Sequence, residues 1–142
     1  MEIKIKYHNP ELIRIGQIAV GNWIDLRAAE DVILEKGEYR LISLGVSMKL
    51  PEGYEAWVAP RSSTFKTWGL ILANHVGIID NSYSGTNDIW KFSALAMRDT
   101  EIHVNDRICQ FRVVPVMGEV TFRECDELDS LDRGGFGSTG KR

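Results

Sequence analysis

The chain has 142 residues, of which 44% are hydrophobic and 26% are charged, and its formal net charge is −3. This length fits one ordinary domain and is too short for two independently folded halves. The lysines and arginines are scattered along the chain, so we expect no broad binding to a nucleic-acid backbone. No apolar run is long enough to cross a bilayer, so we expect a soluble protein without membrane association.

The N-terminus and the cysteines bear on the cellular compartment. The first residues alternate charged and apolar side chains, which is not the pattern of a secretion signal. Neither Cys109 nor Cys125 belongs to a CxxC pair, so the sequence predicts neither a disulfide framework nor a zinc site. We expect a cytoplasmic protein, or one that acts in the host cytoplasm if the gene belongs to a phage.

Short segments with a period of two predict strands. In chain order they lie at residues 3–7, 54–58 and 120–122. Glycine and proline recur between such segments, and no stretch longer than about ten residues keeps a clean helical stripe. The pattern predicts an all-β fold, either a sandwich or a barrel.

One short helix is predicted after Pro60, over residues 63–68. Ser62 or Ser63 could cap its start and Gly69 could end it, and its first backbone N–H groups could bind an anion. From residue 126 the chain becomes acidic and then glycine-rich. We therefore expect a β domain at residues 1–125 and a flexible C-terminal arm at residues 126–142.

Asp80 and Arg61 are candidates for phosphate chemistry. Asp80 follows a strand-like segment, where its carboxylate is suited to activating a water, although aspartate in this position also commonly forms an Asx-turn. Arg61, Ser62 and Ser63 offer the paired N–H donors and hydroxyls that a polyphosphate requires. A capped helix with a solvated arginine explains the same three residues. The local sequence does not decide between a catalytic carboxylate and an Asx-turn for Asp80. It also does not decide between a phosphate site and a capped helix at Arg61.

The end of the chain imitates a phosphate-binding loop. Residues 135–141 match the first positions of the pattern GxxxxGK[ST], but the last position is Arg142. We reject this interpretation because the pattern also requires a strand before it and a helix after it. Arg133, Phe136 and the backbone amides of the arm could still fold over a phosphate and a base. A disordered glycine-rich end is the simpler alternative.

Two further acids stand close to arginines in the sequence. Asp25 precedes Arg27, and Asp106 precedes Arg107. Each acid could contact a metal ion through water or form an ordinary surface ion pair. The histidines show no ligand spacing, so a metal held only by protein ligands is not expected. Any magnesium would be carried by the phosphates of a substrate.

Together and in this order, these segments resemble the five motifs of the trimeric dUTPase family. The matching segments are residues 24–28, 60–63, 74–85, 106–110 and 133–140, which span most of the chain. The nearest likeness is to phage and Bacillus-type members, although Trp23 and Ile24 replace a usual Gly-Tyr and Asn105 replaces a usual glycine. The resemblance implies a jelly-roll-like β-sandwich and a homotrimer, in which each active site takes motifs from all three chains.

The resemblance also implies an activity. Members hydrolyse dUTP with Mg²⁺ to dUMP and pyrophosphate, which keeps uracil out of DNA and supplies dUMP for dTMP synthesis. Asp80 corresponds to the catalytic carboxylate that activates water, and Asp25 to a residue that contacts the metal through water. The residues at substrate-binding positions are Arg61, Ser62, Ser63, Asn74, Gly77, Ile79, Tyr83, Gln110, Arg133, Phe136, Gly137, Ser138 and Thr139.

Two other functions stay open at this point. A dCTP deaminase shares the expected fold but attacks the base. Such enzymes use a glutamate near the base, whereas this chain offers the segment Gly77-Ile-Ile-Asp80 and an arm that contains Phe136. A regulatory protein would use its dUTP-bound state to engage a protein partner, and the insertion at residues 86–90 is the candidate surface. The simpler interpretation of this insertion is that it completes a strand and buries Trp90.

Overall fold

The computed structural model describes residues 1–16, 18, 20–137 and 139–142. These residues form eleven strands and one short helix. In chain order the elements are β1 Lys4–Tyr7, β2 Ile24–Arg27, β3 Val32–Leu34, β4 Tyr39–Ser43, β5 Val46–Lys49, β6 Tyr54–Pro60, α1 Thr64–Trp68, β7 Leu70–Leu72, β8 Gly77–Ile79, β9 Lys91–Ala96, β10 Thr100–Ile102 and β11 Arg107–Pro115.

The strands pair in four antiparallel sheets. The largest sheet has the order β2-β11-β6-β8, and a three-stranded sheet has the order β4-β9-β7. Two further pairs, β1 with β5 and β3 with β10, complete the arrangement. Strands distant in the sequence are neighbours in space, as when β2 pairs with β11, which is typical of jelly-roll sandwiches. The predicted all-β class is confirmed.

One apolar core joins the two larger sheets. On β9, Phe92, Ala94 and Ala96 are buried while Lys91 is exposed, as the period of two requires. Trp90 is fully buried just before β9, and its ring meets the ring of Phe111 edge-on, with centroids 5.2 Å apart. The insertion at residues 86–90 therefore delivers an aromatic side chain to the core.

The predicted helix is present. α1 covers Thr64–Trp68, and Gly69 ends it in the left-handed conformation with a φ of 64°. A Cβ atom at Gly69 would lie 2.6 Å from Cγ of Arg98, so that side chain would have to shift, and the positive φ would strain any other residue. Ser63 occupies the N-cap position without a side-chain capping bond. Within the described ranges, no helix has the length and apolarity needed to span a bilayer.

The predicted strand at residues 120–122 is wrong. β11 ends at Pro115, and Val120 and Phe122 are 49% and 95% exposed. Alternating residues form a strand only beside a hydrogen-bonding partner, and the described part of this chain supplies none at that place. All described residues from Val116 onward are exposed. The exposed segment therefore begins before residue 126, and the division of the chain at residue 125 stays a prediction.

Candidate active site

Three charged side chains meet on the outer face of the largest sheet. Asp25 lies on β2, Arg107 on β11, and Arg61 directly after β6. Asp25 Oδ1 is 3.2 Å from Arg61 Nε, and Asp25 Oδ2 accepts a hydrogen bond from Arg107 Nη1 at 3.1 Å. Arg61 Nη1 also donates to the Arg107 carbonyl oxygen at 3.1 Å. The cluster of these three residues carries an excess positive charge, which suits a phosphate ligand.

Thr64 anchors the backbone beneath this cluster. Its buried hydroxyl accepts a hydrogen bond from the Arg61 N–H at 2.8 Å and donates one to the Ile108 carbonyl oxygen at 2.8 Å. Gln110 Nε2 donates to the Pro60 carbonyl oxygen at 3.0 Å. The segment that carries Arg61 is therefore hydrogen-bonded to β11 on both sides of Arg61, through Pro60 and through Thr64.

An open depression of about 420 Å³ lies over the cluster. Ser62, Gln110 and the three charged side chains line it, together with residues 20–23. Ser63 is half-buried at the start of α1 and is not among the lining residues. Three of the residues predicted to bind phosphate, Arg61, Ser62 and Gln110, thus come together with Asp25, the predicted metal-contacting residue.

Asp80 lies directly after β8 with an exposed side chain. Its Oδ1 atom accepts hydrogen bonds from the Ser82 hydroxyl at 2.6 Å and from the Ser82 N–H at 2.8 Å. These two bonds, the hydroxyl bond first, lower the pKa of Asp80 below its ordinary value of 3.8. The Asx-turn considered from the sequence is therefore present. It uses Oδ1 only, since Oδ2 accepts no hydrogen bond from the described residues.

Three predicted nucleoside-binding residues lie in the turn between β7 and β8 and in β8 itself. Asn74 lies in the exposed turn, where its carbonyl oxygen accepts a hydrogen bond from the Val76 N–H at 2.7 Å. Gly77 begins β8, and a Cβ atom there would lie 3.2 Å from Val58 Cβ, which favours glycine. Ile79 ends β8 and is half-buried. The turn between β7 and β8 therefore presents backbone groups to solvent.

Tyr83 lies beside the catalytic candidate. Its N–H donates to the Asp80 carbonyl oxygen at 3.0 Å, and its hydroxyl donates to the Ile89 carbonyl oxygen at 2.9 Å. Burial, and to a smaller degree the charge of Asp88, raises the pKa of the Tyr83 hydroxyl. Tyr83 is thus hydrogen-bonded at its backbone N–H and at its hydroxyl. The residue remains 39% exposed, so its ring can act as a rigid platform.

The Asp80 group and the Asp25 cluster lie at opposite ends of β6. Ile79 pairs with Ala56 near the start of β6, so Asp80 lies near that start, whereas Arg61 follows the other end. The extended strand between these points spans about 20 Å at roughly 3.3 Å per residue. A single chain therefore does not bring the proposed base to the arginines.

The arm does not complete either group. Arg133, Phe136, Gly137 and Thr139 are exposed, and the described residues of the arm form no hydrogen bond or salt bridge with the Asp80 group or the Asp25 cluster. Ser138, also predicted to bind substrate, lies outside the described residues.

Sequence reasoning paired the acids with the wrong neighbours. Asp25 contacts Arg107, while the nearby Arg27 donates to the carbonyl oxygen of residue 105 at 2.8 Å. Asp106 accepts a hydrogen bond from the His103 N–H at 2.8 Å and does not join the cluster. Arg107 was therefore missed as a site residue. The signal that could have found it is its place three residues before Gln110, within one recognised segment.

The site offers no cage for a metal ion made of protein ligands alone. Among the described residues, no group of three or more His, Cys, Asp or Glu side chains is placed to hold a metal. Cys109 is fully buried, and burial, followed by the charge of Asp25, raises the pKa of its thiol, so it is not a thiolate ligand. Asp25 is a partly exposed carboxylate beside the arginines. It fits Mg²⁺, which keeps several waters and binds one or two carboxylates plus substrate phosphates.

Known proteins resemble this chain along its whole length. The dUTPase family model matches residues 22–140. The chain is 56% identical over 142 residues, covering 100% of both proteins, to the SPbeta prophage-derived deoxyuridine 5'-triphosphate nucleotidohydrolase of Bacillus subtilis. It is 36% identical, over 99% of this chain and 100% of the relative, to the deoxyuridine 5'-triphosphate nucleotidohydrolase of Nautilia profundicola.

Solved structures share the fold. The dUTPase of Staphylococcus bacteriophage 80alpha with dUpNHpp has a TM-score of 0.81 at 20% identity, covering 99% of each chain. Its description states that phage dUTPases control the transfer of virulence genes. A phage phi11 dUTPase variant with a coordinated structural Mg(II) ion has a TM-score of 0.77 at 17% identity, covering 92% of this chain and 100% of that one. The jelly-roll-like expectation is confirmed, and this chain belongs to the dUTPase family.

Proposed function

We propose that this chain is a dUTP diphosphatase, which hydrolyses dUTP to dUMP and pyrophosphate with Mg²⁺ on the triphosphate. One observation carries the proposal. This member of the family has an exposed, ionised Asp80 and, separately, a depression lined by arginines. A base for water and a cationic site for charge on phosphate are the two groups that such a hydrolysis needs. The proposed cellular role is to keep uracil out of DNA in the cytoplasm, or in the host cytoplasm for a phage gene.

Asp80 is the proposed general base. The Ser82 bonds hold Oδ1, so Oδ2 can bind a water molecule. The water oxygen attacks the α-phosphorus, its proton passes to Asp80, and the bond to the bridging oxygen breaks, so that pyrophosphate leaves. The fixed turn places the carboxylate before the reaction begins, which limits the reorganisation cost.

The residues of the depression are proposed to bind the triphosphate. Arg61 would donate paired N–H groups, and Ser62, Ser63 and Gln110 would add neutral donors. Asp25 would contact the metal ion through water. When bound, Mg²⁺ neutralises charge on the triphosphate and on the leaving pyrophosphate.

The β7–β8 turn and strand β8 are proposed to select the nucleoside. Asn74 and the backbone groups of Gly77 and Ile79 would pair with the edge of uracil. Cytosine presents the opposite donor and acceptor pattern, which would leave buried groups unpaired at about 1–3 kcal/mol each. Tyr83, held by its two hydrogen bonds, would pack under the deoxyribose and leave no room for a 2′-hydroxyl.

A homotrimer is proposed because one chain holds only part of the site. The separation of about 20 Å along β6 prevents Asp80 and Arg61 of the same chain from acting on one phosphate chain. A neighbouring copy can supply the missing group, since three copies related by a rotation form a closed ring. The observed outward exposure of both groups supports this arrangement.

The arm is proposed to close over the bound nucleotide. A segment of 17 residues, 126–142, extends to roughly 50 Å at about 3.3 Å per residue, which is long enough to reach the site of a neighbour. Arg133, Ser138 and Thr139 would contact the γ-phosphate, and Phe136 would cover the uracil beside Gly137. We propose the corresponding division into a β domain at residues 1–125 and an arm.

Parallel assays with dUTP, dCTP, TTP and UTP, each with magnesium, test the proposal. We expect pyrophosphate from dUTP alone, and at least a hundredfold slower release of pyrophosphate from dUTP with Asp80→Asn. Ammonia from dCTP would replace the proposal by the deaminase alternative, which the segment Gly77-Ile-Ile-Asp80 and the arm that contains Phe136 disfavour. No product from any of the four nucleotides would overturn the hydrolytic function.

A regulatory partner is a further possibility that the 80alpha relative suggests. The insertion at residues 86–90 gives it little support here, because Trp90 is fully buried against Phe111 and cannot contact another protein. Capture experiments with and without dUpNHpp would test whether the nucleotide-bound chain holds a protein partner.

A further inference from the structure

A β-bulge places Arg107 on the outer face of the largest sheet. Arg107 pairs with Arg27, whereas Cys109 pairs with the adjacent Leu26, so β11 has one extra residue at Ile108. Regular alternation would put Arg107 on the same face as Cys109, which is fully buried. Because of the bulge, Ile108 and Cys109 are both buried while Arg107 is exposed.

The bulge is held in place from beneath. The Ile108 carbonyl oxygen accepts the hydrogen bond of the buried Thr64 hydroxyl, which in turn accepts the Arg61 N–H. The Arg107 carbonyl oxygen accepts a bond from Arg61 Nη1. These bonds therefore fix the backbone of Arg61 relative to the backbone of Arg107 and Ile108.

The Asp25 carboxylate is shared between the two arginines, one on each oxygen. Arg61 takes Oδ1 at 3.2 Å, and Arg107 takes Oδ2 at 3.1 Å. If Arg61 turns its Nε donor to a triphosphate, it gives up its contact with Asp25 Oδ1. A carboxylate released from both arginines would repel the phosphates, and it would also compete with them for Arg61.

We propose that Arg107 is a positioning residue, which keeps hold of Asp25 Oδ2 so that Arg61 can leave Oδ1 and bind the triphosphate. This inference rests on the proposed function, because it assumes that Arg61 binds phosphate. Arg107 acts through Asp25, so its contribution to nucleotide binding depends on the Asp25 carboxylate.

A double-mutant cycle on nucleotide affinity tests this dependence. The dissociation constant of dUpNHpp is measured by calorimetry with magnesium for the wild type, Arg107→Gln, Asp25→Asn and the double variant. We expect Arg107→Gln to weaken binding about tenfold in the presence of Asp25. In the Asp25→Asn background we expect about a twofold loss, which reflects the missing positive charge alone. An equal loss in both backgrounds would mean that Arg107 contacts the phosphates directly, and would overturn the inference.

Arg40→Gln is the matched control. Arg40 pairs with Glu30 at 2.6 Å with side-chain exposures of 49% and 30%, and Arg107 and Asp25 have exposures of 50% and 32%. Exposed ion pairs of this kind contribute little to stability, so both glutamine variants are expected to fold. We expect Arg40→Gln to bind dUpNHpp as the wild type does. The same loss in this control would overturn a specific role for Arg107.

Arg107→Lys supplies a second variant if Arg107→Gln does not fold. It keeps the charge and one donor toward Asp25, so we expect affinity within about threefold of the wild type, with the remaining loss again dependent on Asp25. A tenfold loss that persists in the Asp25→Asn background would overturn the inference. If the wild type itself does not bind dUpNHpp, the proposed function fails. If the wild type binds but Arg107→Gln has the same effect with and without the Asp25 carboxylate, only the role of Arg107 is refuted.

Discussion

The hydroxyl of Thr64 is expected to stabilise the fold and the site together. Thr64 is fully buried, and its Oγ1 atom bonds the Arg61 N–H and the Ile108 carbonyl oxygen at 2.8 Å each. Thr64→Val keeps the shape of the side chain and removes both bonds. A buried polar group without a partner costs about 1–3 kcal/mol. Since two groups are affected and Arg61 is partly exposed, we expect the free energy of unfolding to fall by about 2–4 kcal/mol.

Thr64→Ser is the control, because it keeps the hydroxyl and loses one buried methyl group, at a cost of about 1 kcal/mol. Urea unfolding at one fixed protein concentration measures both variants, since the stability of an oligomer depends on concentration. We also expect dUpNHpp to bind more weakly to the valine variant than to the serine variant, because Arg61 loses its anchor. Equal unfolding free energies for the two variants, within about 0.5 kcal/mol, would refute the reasoning.

The remaining predictions concern Asp80 and the arm. Asp80→Asn should lower kcat at least a hundredfold and leave dUpNHpp affinity within about threefold of the wild type. Steady-state assays measure the rate. If the variant keeps more than a tenth of the wild-type rate, a barrier change below about 1.4 kcal/mol, a catalytic role is contradicted. Ser82→Ala should raise the pKa of Asp80 toward 3.8, because it removes the largest cause of the lowering. If Asp80 is the ionised base, as we propose, the acidic limb of the pH–kcat profile should move to higher pH. An unmoved limb would exclude Asp80 as the group that titrates there. Deletion of residues 133–142 should abolish turnover without changing the thermal midpoint, and full activity would refute the arm hypothesis.

Local structure was predictable where local chemistry decides it. The helix at residues 63–68 and its end at Gly69 were both predicted, because a left-handed glycine can stop a helix without help from distant residues. The strand at residues 120–122 was also predicted from a local pattern, and this prediction is wrong. Its alternation of apolar and polar residues is real, but a strand also needs a partner, and partners come from elsewhere in the fold.

The ion-pair partners within the Asp25 cluster could not be read from the spacing of acids and arginines in the sequence. The sequence places Asp25 next to Arg27 and Asp106 next to Arg107, and each of these pairs suggests an ion pair. The antiparallel pairing of β2 with β11, and the bulge at Ile108, exchange these partners and bring Arg107 to Asp25. A bulge depends on the strands beside it and on the buried Thr64 bond, which the local pattern does not encode.

The sequence by itself determined the all-β class, the family motifs and the residues able to carry the chemistry, because these depend on side-chain type and short-range alternation. The tertiary structure decided which of these residues meet. It joined Asp25, Arg61 and Arg107 from three separate segments, and it placed Asp80 at the other end of β6. Strand register sets these distances through long-range hydrogen bonding. The proposed base and the proposed phosphate site therefore lie too far apart in one chain to act together.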